Sequence, residues 1–219
     1  MKNKKVICTV SGGLDSTVSA AIAKNKGYEL YFIFFRYGQK TRKKEEDCVK
    51  KLAKFYKPKK LLIIDLPWIK KLGGSALLDK NITLDERNLK KEYVPFRNSI
   101  FWAIATAWAE VIGAEKIFIG STGGDHICPD NSPKFISAFQ KIMGIGTMLK
   151  KDIKLTAPLS KTDKGGAVKI GTRLKVPFWL TWSCHNNTKL ACGHCSNCKS
   201  RLEAFKLNNL KDPIKYEKE

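Results

Sequence analysis

The sequence predicts an α/β fold: one open parallel sheet, doubly wound by helices on both faces, followed by a small cysteine-rich helical cap. Three observations carry this. Short β-branched apolar runs alternate with helix-length stretches from the N-terminus onward, the pattern of βα units feeding a parallel sheet. A glycine-rich turn, Ser11-Gly12-Gly13-Leu14-Asp15-Ser16, directly follows the first run. Beyond Pro177 the alternation stops, and four of the seven cysteines crowd between Cys184 and Cys198.

Taken in order, residues 6–10 (Val-Ile-Cys-Thr-Val) read as the first strand, and the apolar spacing through Ala23 as the first helix, ending by Gly27. Residues 29–35 form a second buried strand, 41–56 a polar helix and 60–64 a third strand. From Leu66 to Glu92 periodicity is lost, which suggests a long excursion over the sheet. A helix is expected over 98–112, a fourth strand over 116–120, a helix over 132–148 and a fifth strand over 153–159. Asp163 is placed to cap a helix reaching Leu174. A last helix spans about 198–207, and Lys211 to Glu219 reads as frayed. The whole is a Rossmann-like sheet domain over 1–177 with a cap over 178–219, packed as one unit.

With 219 residues, 43% apolar and 28% charged, the chain can bury a core, and disordered or fibrous classes are excluded. Its formal charge is +21, but of 41 cationic residues six are Arg, the better reader of phosphates and bases. The charge therefore reads mainly as a solvated basic surface. A Lys-rich zinc protein binding nucleic acid stands as the rival from another class, although direct nucleic-acid binding is not expected. No apolar run reaches membrane-spanning length. The basic start precedes too short an apolar stretch for a secretory signal, so the expected location is cytoplasmic and a disulfide framework is not expected.

Ligands of open parallel sheets bind beyond the carboxyl ends of the strands, near the reversal of strand order. There, Gly12 and Gly13 allow the backbone close to an anion, and the following helix offers N–H groups and a positive dipole end. No Gly-Lys-Ser/Thr follows and the third glycine of the dinucleotide fingerprint is missing, so the turn is a phosphate cradle of neither kind. Cys184, Cys192, Cys195 and Cys198 supply four thiolates, enough to close a tetrahedral zinc shell of structural type. A shell including His185 or His194, an iron–sulfur cluster and free thiols are the alternatives. Cys8, Cys48 and Cys128 stand apart, and two of them read as buried small hydrophobes. Phe101, Trp102, Trp108 and Phe118 read as core, with Trp179 and Trp182 packing the cysteine cluster onto the sheet.

The turn at 11–16 resembles the pyrophosphate loop of the ATP pyrophosphatase superfamily, and further segments narrow the likeness. These are Tyr37-Gly38-Gln39, Gly73-Gly74-Ser75-Ala76-Leu77, Tyr93-Val94-Pro95-x-Arg97-Asn98, Ile117-Phe118-Ile119-Gly120, Pro129-Asp130, Phe135-x-x-Ala138-Phe139, Pro158-Leu159 and Leu180-Thr181-Trp182-Ser183-Cys184. Together with the later cysteines they resemble the 7-cyano-7-deazaguanine synthase family from about residue 4 to 213. The resemblance implies an adenine nucleotide alpha-hydrolase-like fold and an ATP-dependent C–N ligase. That ligase converts 7-carboxy-7-deazaguanine and ammonia to the amide and then the nitrile, in queuosine- or archaeosine-type biosynthesis. It also implies ATP with Mg²⁺ as co-substrate, one structural zinc and a homodimer. Val10, Ser11, Gly12, Gly13, Leu14, Asp15, Ser16, Tyr37, Gln39, Arg97, Asn98 and Gly120 are its implied nucleotide-binding residues. Asp15, Ser16, Arg97, Lys164 and Asp130 are its implied catalytic group, with Arg97 clamping a phosphate or carboxylate and Asp130 near the base or metal.

Two stretches depart from the family pattern. Arg36 and Thr41 stand where an acidic residue and a histidine are usual around Tyr-Gly-Gln, and residues 121–132 replace a loop that surrounds the deazapurine. A relative that activates the same acid but passes it to another amine is the alternative these changes raise.

Overall fold

The structure is a computed structural model that describes residues 4–79, 81–82, 90–123, 128–148, 153–186 and 188–217. Five strands, β1 (Lys5–Thr9), β2 (Glu29–Arg36), β3 (Lys60–Asp65), β4 (Lys116–Phe118) and β5 (Lys154–Thr156), form one sheet in the order β3-β2-β1-β4-β5. All its pairings are parallel. The chain builds outward from β1 to β3, then crosses back to place β4 on the other side of β1. Strand order therefore reverses between β1 and β4.

Alternation along the strands feeds two cores. Val6, Cys8, Phe32, Phe34 and Phe118 face one side, where α1 (Leu14–Asn25), α2 (Arg42–Tyr56), α6 (Lys164–Arg173) and α7 (Ser196–Lys206) pack. Ile7, Ile33, Phe35, Ile117 and Ile119 face the other, under α3 (Trp68–Leu72), α4 (Arg97–Ile112) and α5 (Pro133–Gly146). Strands buried on both faces need apolar residues at every position, which is why the sequence shows continuous runs there. Each fully buried large aliphatic or aromatic side chain contributes about 1.5–3 kcal/mol. Among the described residues no helix is long and apolar enough to cross a membrane.

Several expectations are corrected. β4 stops at Phe118 and not at Gly120, because the chain turns there under α1: a Cβ on Gly120 would lie 2.7 Å from Ser16 N. β5 is three residues long, and Leu159 makes an isolated bridge to Thr122 beyond Pro158. The excursion over 66–92 contains the short helix α3 and buries Ala76, Leu77 and Leu78. The tail is folded through residue 217. Asp212 is buried against Arg201 (2.7 and 3.0 Å) and receives Tyr216 OH at 2.6 Å. Trp182 packs with the cysteines, whereas Trp179 is 60% exposed and packs nothing onto the sheet. Phe101 is half-buried, stacked on Phe35 at 4.1 Å.

Candidate active site

A cavity of about 340 Å³ opens at the carboxyl ends of β1, β2 and β4, where strand order reverses. Its walls join Val10, Ser11, Gly13, Leu14, Asp15 and Ser16 with Tyr37, Gln39, Arg97, Asn98, Gly120 and Lys164. Residues expected to share a site thus line one space, although their sequence positions span more than half the chain. Gly12 and Asp130 are not on the lining.

The turn after β1 is shaped by its own side chains. Ser16 Oγ donates to Gly13 O at 3.2 Å and accepts from Ser11 N at 3.2 Å, while Gly13 N donates to Ser11 Oγ at 3.2 Å. Thr17 Oγ1 donates to Gly13 O at 2.7 Å. Gly12 sits at φ +79°, and a Cβ there would lie 2.7 Å from Glu45 O, so glycine is required on two counts. No side chain caps α1, which leaves its first turn suited to an anion. Ser16 is therefore a builder of the turn as well as part of its wall.

Arg97 opens α4 after Phe96, a bulky residue held at φ +56°. Left-handed backbone at an aromatic residue costs about 1–3 kcal/mol and is concentrated at functional sites. Arg97 Nη1 donates to Tyr37 OH at 3.1 Å, and its guanidinium lies 5.4 Å from the Tyr37 ring centre and 5.8 Å from that of Phe101. Burial alone would lower its pKa, but Tyr37, Cys128 and Asp130 together raise it, so the cation is secure. Burial pushes the Tyr37 phenol upward against the opposing pull of Arg97. Asp130 lies beneath this turn: its Oδ2 accepts from Asn98 N at 2.8 Å and its Oδ1 from Asn98 Nδ2 at 3.3 Å. Burial raises its pKa while those bonds oppose the rise. Asp130 holds the start of α4 and so positions Arg97 from behind the wall.

Gln39 lines the cavity but its amide is engaged, accepting from Tyr37 N (2.9 Å) and donating to Phe35 O and Glu45 Oε2 (3.0 Å each). Lys164 occupies the first position of α6, where the helix dipole disfavours a cation. Its Nζ lies 3.9 Å from Asp15 Oδ2, and its side chain is 18% exposed. A lysine kept there against the dipole is well placed for a phosphate. Arg36, at the end of β2, has exchanged the usual acidic residue for a cation with two partners: Glu46 at 2.7 Å and Asp65 at 3.2 Å. Thr41 Oγ1 donates to Glu45 at the head of α2. The remaining departure is half visible, since residues 124–127 lie outside the described residues; within the rest, Ser121 Oγ donates to Asn131.

In the cap, the Sγ atoms of Cys184, Cys192, Cys195 and Cys198 all lie within 4.8 Å of one another, and all four residues are buried. Cys192 N and Cys195 N point at Cys184 Sγ (3.5 Å) and Cys192 Sγ (3.3 Å), donors that favour thiolates. The hydrogen bond with Cys184 pushes the Cys195 thiol up to about 11, and hydrogen bonds with Cys184 and Cys195 raise Cys198 as well, shifts that a bound cation would reverse. These four residues are arranged to hold a metal ion, and the segment leading into Cys184 touches the turn at 11–16: Trp182 N donates to Gly12 O at 2.8 Å.

The sequence reading missed part of the wall. Glu45, Glu92, His185 and Asn197 also line the cavity. Glu92 accepts from Ser196 Oγ at 2.5 Å and Asn197 Nδ2 at 3.2 Å. Asn197 Nδ2 also reaches His185 Nδ1 at 3.2 Å, and burial lowers the pKa of that imidazole against the pull of Glu92. His185 therefore belongs to the cavity and not to the four-sulfur group. Its place beside Cys184 was the available signal; Glu92 offered none.

Comparison with known proteins agrees with this geometry. The family described as "Queuosine biosynthesis protein QueC" matches residues 5–209. A protein of Methanoculleus marisnigri named 7-cyano-7-deazaguanine synthase is 42% identical over 221 residues, covering 98% of this chain and 100% of its own. One of the same name from Sulfurimonas denitrificans is 41% identical, covering 99% of each. Among solved structures, NMN synthetase from Francisella tularensis is similar at a TM-score of 0.51 and 16% identity, covering 95% of this chain and 78% of that one, a likeness of fold. The chain belongs to the QueC family, the 7-cyano-7-deazaguanine synthases.

Proposed function

We propose that the chain catalyses the ATP-dependent conversion of 7-carboxy-7-deazaguanine and ammonia into 7-cyano-7-deazaguanine, a step of queuosine-type biosynthesis. The observation that carries this is the single cavity in which an uncapped helix start, Arg97 and Lys164 converge on one space at the strand reversal. Full-length identity near 40% to named synthases supports the nitrile as product over transfer to another amine.

The chemistry follows from the charges. A carboxylate oxygen leaves poorly until it is bonded to phosphorus. In the first half, that oxygen attacks the α-phosphorus of ATP and pyrophosphate departs; ammonia then adds to the acyl carbon and AMP leaves with the oxygen, giving the amide. In the second half the amide oxygen attacks a second ATP, pyrophosphate again departs, and loss of AMP and the remaining N–H protons leaves the C≡N bond. The turn at 11–16 and Lys164 hold the polyphosphate, Arg97 holds the acid, and Asp15 beside Lys164 receives the Mg²⁺ that accompanies ATP. Fixed donors of this kind act strongly because they are held in place before the reaction begins.

We infer zinc on Cys184, Cys192, Cys195 and Cys198. Zn–S bonds of about 2.3 Å set tetrahedral S–S edges near 3.8 Å, and Cys192 Sγ lies 3.9 Å from Cys198 Sγ. An iron–sulfur cluster needs its thiolates spread around an inorganic core, which this spacing opposes. With four protein ligands the ion supplies structure and no open position. In this reading residues 1–177 carry the nucleotide site and 178–219 the cap that closes it. A homodimer is supported by an apolar surface at the ends of α4 and α5. Val111, Ile142, Ile145 and Met148 are 61–97% exposed there, and Met148 N donates to Glu110 Oε1 at 2.6 Å.

The test is a mass-spectrometric assay of the folded, zinc-loaded protein with the acid, ammonium, ATP and Mg²⁺, scoring base and nucleotide products. Nitrile and AMP are the expected products. Nucleotide left intact, or amide with no nitrile, refutes the reading.

A further inference from the structure

The cavity is built for anions, yet Glu92 presents a carboxylate to it. Its setting is specific. Oε1 takes one hydrogen bond from Ser196 Oγ and Oε2 one from Asn197 Nδ2, both from the first turn of α7 between Cys195 and Cys198. Among the described residues these are its two side-chain hydrogen bonds, with His185 Nδ1 3.9 Å from Oε2; an ionised carboxylate has about four acceptor positions, so about one position per oxygen remains for a ligand. Two such positions, side by side, match two parallel N–H groups. Glu45, the other glutamate on the lining, is committed elsewhere: it accepts from Gln39 and Thr41 at the head of α2, and its backbone carbonyl abuts Gly12 on the phosphate side.

The acid named under the proposed function has two unlike ends. Its carboxylate is on the five-membered ring, and its six-membered ring carries two adjacent donors, N1–H and the exocyclic 2-amino group. The cavity lining carries a group for each end, the Arg97 cation and the Glu92 carboxylate, and its aromatic side chains Tyr37, Phe101 and Trp102 suit a flat bicycle. We propose that Glu92 reads the base: its carboxylate accepts N1–H and the 2-amino N–H as a bidentate pair, with Ser196 and Asn197 setting its orientation. Glu92 is then the specificity-determining residue of the acid site, and the metal cap is the scaffold that aims it. The identity of the base rests on the proposed function, whereas the recognition mode does not need turnover.

The experiment is calorimetric binding, without ATP, of 7-carboxy-7-deazaguanine and of its analogue lacking the 2-amino group. The wild-type protein is expected to prefer the amino form by about 100-fold, the worth of a hydrogen bond to a charged group. Glu92→Gln replaces one acceptor by a donor; affinity for the amino form falls by about 100-fold and the preference shrinks to within about threefold. Zinc content, melting temperature and the KM for ATP stay at wild-type values. Ser196→Ala leaves the carboxylate in place but removes its clamp, and reduces the preference about fivefold, so the test survives a Glu92→Gln protein that does not fold. Equal binding of the two bases by the wild type, or an undiminished preference in both variants, overturns the proposal. Wild-type protein that binds the acid selectively but releases no nitrile refutes the synthase reading and leaves the base reading standing.

Discussion

Gly120→Ala tests whether the phosphates sit where the turn at 11–16 places them. A Cβ at residue 120 would lie 2.7 Å from Ser16 N, 2.8 Å from Ser16 Cα and 3.1 Å from Asp15 C. Ordinary contact is about 3.5 Å, so the backbones must separate by about 0.7 Å. No rotamer can absorb this, since the obstructing atoms are main chain in the first turn of α1. The next turn of α1 is also tied to the chain just past β4, for Ser19 Oγ donates to Ile119 O at 2.9 Å. Overpacking of this kind costs about 1–3 kcal/mol, and at about 2–4 °C per kcal/mol for a chain of this size the melting temperature falls by about 2–12 °C. Displacing a site by about 1 Å costs about 100-fold in rate, so kcat for nitrile formation falls by about 10- to 100-fold. Initial rates of AMP and nitrile release, with scanning calorimetry on the same samples, read both effects. Gly146→Ala, at the end of α5 with nothing within 4 Å of the added Cβ, is the control and keeps wild-type rates. A Gly120→Ala enzyme within twofold of wild-type kcat would mean that the start of α1 does not hold the reacting phosphates.

Other perturbations bear on the cap and the sheet. Cys195→Ala should release zinc, read by metal analysis, and lower the melting temperature; full metal content in that variant would break the four-sulfur assignment. Asp212→Ala leaves Arg201, a fully buried cation, without its counter-charge and should cost about 3–5 kcal/mol in urea unfolding; a loss under 1 kcal/mol would mean that the tail does not anchor the cap. Hydrogen bonds from Arg36 and then Lys50 hold the Glu46 carboxyl down at about 2. A carboxyl depressed in the folded state stabilises above its unfolded pKa and loses that stabilisation as pH falls through the folded one. Glu46→Gln should therefore cost about 1–3 kcal/mol at pH 7, allowing for the half-exposed Lys50, with the difference fading between about pH 4.5 and 2. A pH-independent difference would place the effect in packing instead.

How much could be read from the sequence depended on how local each determinant is. Strands buried on both faces require unbroken apolar runs, so residues 29–35 declared themselves within a strand that runs on to Arg36. The turn at 11–16 is a contiguous hexapeptide and the four cysteines three short spacings, so the place of the first on the cavity wall and the gathering of the second were legible. Asp130 is less legible, because a Pro-Asp pair in a loop looks the same whether or not its carboxylate accepts from a backbone amide, as it does from that of Asn98. The tail misled for a similar reason: its lysines read as frayed, and nothing in 211–219 reveals that Asp212 finds a buried arginine eleven residues upstream. Glu92 is the extreme case, since its partners lie 104 and 105 positions away. The same distance in sequence explains why the cap belongs to the site at all. Trp182 donates its N–H to Gly12 O inside the turn at 11–16, with Lys44 from α2 seated 4.3 Å over its ring, while Ser196 and Asn197, between Cys195 and Cys198, clamp Glu92. An ion held by the four cysteines would thus brace two parts of the cavity lining, the turn at 11–16 through Trp182 and Glu92 through α7. A loss of metal should therefore impair nucleotide and acid binding together, even though the ion touches neither.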